Sequence, residues 1–80
     1  MINTMYDIAV ITNLYAKVVY GKRNFLVLKY NDNLKPGNMI CLREFDGKNY
    51  TSRFMAMYIK HVAIGDSVEG IMPGYCVISW

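Results

Sequence analysis

Asp46-Gly47 stands between two runs of strand-forming residues, Met39 to Phe45 and the stretch that opens Asn49-Tyr50-Thr51. An Asp-Gly pair adopts the positive φ angles of a tight hairpin turn at little cost, and flanking apolar runs make it a strong hairpin signal. It fixes an antiparallel pair near the middle of an 80-residue chain. A chain of that length has room for one core, and a marginal one. The reading is a single domain over residues 1–80.

The other elements follow from pattern. Tyr6 to Ile11 reads as a short strand. Thr12 is placed to cap a two-turn helix over Asn13 to Tyr20, with Leu14, Tyr15, Val18 and Val19 near one face and Lys17 outward. Gly21 falls where a helix end favours a left-handed residue. Asn24 to Tyr30 alternates as a strand: Phe25, Val27 and Lys29 point one way, and Leu26, Leu28 and Tyr30 the other. Lys35-Pro36-Gly37 is a turn. Phe54 to Ile64 continues from the hairpin and is rich in β-branched residues, which predicts one long strand. Residues 65–74 form a loop, and Tyr75 to Trp80 a last strand. Five strands and one early helix make an α+β fold, a small β-barrel.

Composition narrows the function. Hydrophobic residues are 54% and charged residues 19%, which excludes a disordered chain. No apolar run reaches the roughly 18–20 residues of a membrane span, and Met1 to Asp7 lacks the basic start of a signal peptide, so the expectation is a soluble cytoplasmic protein with no membrane partner. Nine Lys+Arg against six Asp+Glu give a net charge of +3, a basic excess that favours phosphate backbones. Cys41 and Cys76 lie in apolar surroundings without metal-ligand spacing, as buried thiols do in a reducing compartment. His61 is the single histidine; no metal site and no cofactor is expected.

Four segments in order carry a family resemblance: Gly21-Lys22-Arg23-Asn24-Phe25 after a short helix, Gly37-Asn38-Met39-Ile40-Cys41-Leu42-Arg43-Glu44, Tyr50-Thr51-Ser52-Arg53, and Gly74-Tyr75-Cys76-Val77-Ile78-Ser79. Together they resemble the ASCH-domain group of the PUA-like superfamily, in a small branch of bacteria and their phages. Its pattern runs G-K-K-T-F-E-I-R-K-N-D, G-D-x-L-x-L-R-E, Y-T-G-R and G-Y-V-V-L-S. The likeness covers roughly residues 10 to 80. It implies a small β-barrel with one short N-terminal helix over one end and, as in relatives, RNA binding.

Departures from that pattern bear on chemistry. Its acidic residue falls on Leu26, its arginine on Leu28 and its threonine on Asn24, while Asn38 replaces Asp and Ser52 replaces Gly. One relative hydrolyses acetylcytidine with a lysine, a threonine and a glutamate around its cleft. Arg23 falls where that lysine would sit and stays protonated; Leu26 falls where the hydroxyl would be. No hydrolase activity is therefore expected, and a Cys41–His61 nucleophile pair has only sequence proximity of strands behind it.

Two binding readings remain. In the first, Lys22, Arg23, Lys29, Arg43, Lys48, Tyr50 and Arg53 line a basic cleft for RNA or single-stranded nucleic acid, with Tyr20, Tyr30 and Tyr50 as stacking surfaces. In the second, the apolar face of Leu26, Leu28 and Tyr30 docks a host protein, or a second copy of the chain as a homodimer.

Overall fold

The computed structural model describes residues 5–80. Among them the chain forms β1 (Tyr6–Ile11), α1 (Thr12–Val19), β2 (Phe25–Lys29), β3 (Met39–Phe45), β4 (Tyr50–Tyr58), β5 (His61–Ile64) and β6 (Tyr75–Ser79). The strands divide into two three-stranded sheets, ordered β1-β3-β4 and β2-β6-β5. The fold is α+β as expected, with six strands instead of five, and the pairing leaves the sheets open rather than closed as a barrel.

The extra strand arises where one long strand was expected. At Ile59-Lys60 the chain crosses between sheets: the Ile59 N–H donates to Asn38 O (2.9 Å) in the first, and the Lys60 N–H to Ser79 O (2.8 Å) in the second. Each half of the stretch therefore finds its partner in a different sheet. Beyond β5 the chain folds back closely. A Cβ on Gly65 would lie 2.1 Å from the Met72 carbonyl oxygen, so this approach of two backbones requires glycine.

β1 and β3 run parallel, from Tyr6 opposite Ile40 to Ile11 opposite Phe45, while β3 and β4 form the antiparallel hairpin. The Asp46 carboxylate closes that turn by accepting the N–H groups of Lys48 (2.9 Å) and Asn49 (2.8 Å). Gly47 takes φ 104° as expected, but Asp46 does not share a positive φ, and the loop between paired Phe45 and Tyr50 has four residues instead of a tight two-residue turn.

Helix α1 ends in a Schellman motif. The Lys22 N–H donates to Lys17 O (2.9 Å) and the Gly21 N–H to Val18 O (3.1 Å), with Gly21 at φ 72°. Its start differs from expectation: Thr12 is the first helical residue and Ile11 occupies the cap position without a side-chain bond. Tyr15 and Val18 face inward, and Val19 is exposed. Tyr15 and Val18 join Val10, Leu26, Leu34, Ile40, Leu42, Ile59, Cys76 and Ile78 in one core. A helix of two turns has little stability of its own and is held by that packing. Both cysteines are buried free thiols, and burial pushes the Cys76 thiol up.

Candidate functional site

The site begins with an irregularity in the hairpin. Arg43 lies opposite Phe54 and Phe45 opposite Tyr50, so the single residue Glu44 faces the three residues 51–53 of β4. A bulge of this kind re-aims side chains, and here it turns two of them toward one carboxylate. The Thr51 hydroxyl donates to Glu44 Oε1 at 2.6 Å. Arg53 donates through Nε to Oε1 at 2.8 Å and through Nη2 to Oε2 at 2.7 Å, a bidentate fork. The Thr51 hydroxyl in turn accepts the Arg53 N–H at 3.1 Å, locking the bulge.

Glu44 is 1% exposed, whereas the Arg53 side chain is 67% exposed. A buried carboxylate is costly unless fully bonded, and no buried side-chain nitrogen or oxygen among the described residues lacks a partner. The Thr51 hydroxyl and the Arg53 guanidinium hold Glu44 below its ordinary 4.5, with a smaller push from the Thr12 hydroxyl.

Helix α1 supplies the opposite wall. Tyr15, Ala16, Val19 and Tyr20 enclose with Glu44 and Arg53 a cleft of about 150 Å³. The Arg53 guanidinium lies 5.9 Å from the Tyr15 ring centroid, and Tyr20 stands at the rim, 77% exposed. A larger, more open recess of about 380 Å³ on the second sheet, lined by Val27, Gly70, Ile71, Met72, Tyr75 and Val77, carries no charged side chain. The described residues hold no group of three metal-ligating side chains, and no helix among them is long and apolar enough to cross a membrane.

The residues expected to form one basic groove are spread over several surfaces. Arg53 enters the cleft. Arg43 points from the other face of the same sheet, bonded to Asp7 at 3.3 Å and 5.6 Å from the Phe54 ring centroid. Tyr50 shares that outer face, edge-on to Phe45 at 5.2 Å. Arg23 packs over Phe25 at 4.5 Å and donates to its carbonyl. Lys29 ends β2, Lys48 sits at the hairpin tip, and Lys22 follows α1. The apolar stripe of β2 faces inward: Leu26 is 3% exposed, and Leu28 and Tyr30 pack against the core. Leu26 belongs to the interior, while Leu28 and Tyr30 are partly buried at its margin.

Glu44, Thr51 and Tyr15 were not singled out from the sequence. The signal for the first two was present as Arg-Glu at the end of one hairpin strand and Thr-x-Arg at the start of the other.

The protonation of Glu44 has a consequence for stability. Its pKa is lower in the folded protein than in the unfolded chain. The contribution is therefore full above pH 4.5 and is lost as pH falls through the lowered folded value. Asp46 behaves alike, lowered by the Asn49 and Lys48 N–H groups. In urea unfolding at about pH 7 and about pH 3, the wild type should lose more stability than Glu44→Gln, which retains only the Asp46 share. Equal losses would show that the Glu44 charge does not stabilise the fold.

Fold and cleft together define a small α+β domain with a recess between its helix and a sheet hairpin, apolar on the helix side and carrying the Glu44–Arg53 pair on the other. A family model described as a domain of unknown function, DUF3850, matches residues 5–80, and the chain belongs to that family. Comparison with curated proteins finds no match.

Proposed function

We propose that this chain is a non-catalytic nucleic-acid-binding domain of the ASCH, PUA-like kind, with single-stranded RNA as its ligand. One unpaired base enters the cleft between α1 and the Glu44–Arg53 pair, stacks on Tyr20, and leaves its phosphates beside Lys17, Lys22 and Arg23. The observation that carries this reading is the charge of the segment that contains the helix. From Ile8 to Asn31 the chain holds Lys17, Lys22, Arg23 and Lys29 and no carboxylate. Arg43 and Arg53 are engaged by Asp7 and Glu44, and this stretch, which runs through Tyr20, carries four of the other cations. The four-motif resemblance points the same way.

The state of Glu44 favours binding over conversion. A general base works best with a pKa near the operating pH. Glu44 is displaced in the opposite direction, and its two oxygens already accept three hydrogen bonds. It serves as a clamp that orients Arg53. The guanidinium uses Nε and Nη2 in that clamp, which leaves the Nη1 donors uncommitted toward a ligand acceptor.

Fluorescence anisotropy with labelled single-stranded RNA and DNA tests the reading. With three phosphate contacts the log–log salt slope should be about −2, which is about a 20-fold loss of affinity between roughly 50 and 200 mM salt. RNA should bind more tightly than DNA of the same sequence. Binding indifferent to salt, no binding at low salt, or turnover of a modified nucleoside would each overturn it.

A further inference from the structure

We infer that β4 is a self-association strand, through which two copies of the chain pair antiparallel about Ala56. The surface is distinct from the cleft: Phe54 lies on the Arg43 face of the sheet, whereas Arg53 and Glu44 lie on the other. The inference stands independently of the nucleic-acid reading.

β4 is an edge strand, hydrogen-bonded on one side to β3. An open edge presents unpaired backbone N–H and C=O groups and is ordinarily blunted by shortness, charge, proline or a bulge. The other edges of this molecule carry such devices. β5 has 4 residues, β1 carries exposed Asp7, and β2 ends in exposed Lys29. In β4 the bulge at 51–53 leaves Phe54-Met55-Ala56-Met57-Tyr58 regular, without a charge or a proline.

That segment is self-complementary. Aromatic, Met, Ala, Met, aromatic reads the same in both directions. A two-fold axis at Ala56 therefore sets Phe54 opposite the partner's Tyr58, Met55 opposite the partner's Met57, and the small Ala56 against itself. A two-fold interface requires this kind of reciprocity. Cross-strand aromatic pairs are among the favourable ones, and Phe54 and Tyr58 are 59% and 61% exposed in the single chain. The flanking cations do not oppose one another in this register. Arg53 is turned to Glu44, and Lys60 lies beyond the end of β4, where the chain has crossed to the second sheet.

Sedimentation velocity across a dilution series, with a charge swap, decides the matter. The wild type should show a concentration-dependent dimer. The double variant Phe54→Lys/Tyr58→Lys and the double variant Phe54→Glu/Tyr58→Glu should each dissociate about 30-fold more readily or worse, since like charges replace aromatic pairs. An equimolar mixture should recover dimer, because each Lys then faces a Glu. Circular dichroism of each variant alone establishes that it is folded, as expected for substitutions at exposed positions. A wild type monomeric at all concentrations, or folded variants that dimerise alone as the wild type does, would overturn the inference. So would a mixture that stays monomeric.

Discussion

Truncating Leu42 to alanine is expected to cost about 2–5 kcal/mol, the range for removing a buried leucine side chain. Leu42 is 0% exposed at the centre of β3, between parallel β1 and antiparallel β4. A domain this small commands only about 4–12 kcal/mol in total, at roughly 0.05–0.15 kcal/mol per residue. The melting temperature should fall by about 8–40 °C, since each kcal/mol is worth about 4–8 °C in a domain of this size. Thermal and urea unfolding measure the effect. A loss below about 1 kcal/mol would mean that the interior collapses around the cavity or was never tightly packed. The same strand carries Glu44 two residues on, so cleft and core share one scaffold.

Tyr20→Ala should separate binding from folding. Tyr20 is 77% exposed and follows the last helical residue, so its removal leaves stability within about 0.5 kcal/mol. Stacking of one base on an aromatic ring is worth about 1–3 kcal/mol, which makes the RNA dissociation constant about 5- to 150-fold weaker. The salt slope should not change, because no phosphate contact is lost. An unchanged affinity would remove Tyr20 from the site, and a changed slope would mean that the strand runs elsewhere. Anisotropy titrations of wild type and variant at two salt concentrations read both quantities.

Local chemistry was legible wherever one residue type dictates one conformation. Gly21 ended the helix in the left-handed region, and Asp46-Gly47 turned the hairpin. The alternation of β2 was also correct, with Leu26 inward and Val27 outward. The crossing at Ile59-Lys60 was not legible, since neither residue is a breaker and its cause lies in carbonyls of Asn38 and Ser79, both distant in sequence. The pairing of β1 with β3 depends likewise on a partner some thirty positions away. The basic residues were misgrouped because charge was summed without regard to side. Arg43 and Glu44 are neighbours on one strand and must point to opposite faces. Once Arg53 joins Glu44 it cannot share a surface with Arg43.

The bulge makes the recess a matter of spacing as much as of residue identity. Three residues of β4 stand against Glu44 alone, and this surplus lets Thr51 and Arg53 reach the same acid. A hairpin arm shorter by two positions would zip up evenly, and the carboxylate would meet a single opposing side chain. The interior anion would then be left half-matched by the very shortening that perfects the ladder, so the count of amino acids between Phe45 and Phe54 is itself a determinant of what the crevice can hold.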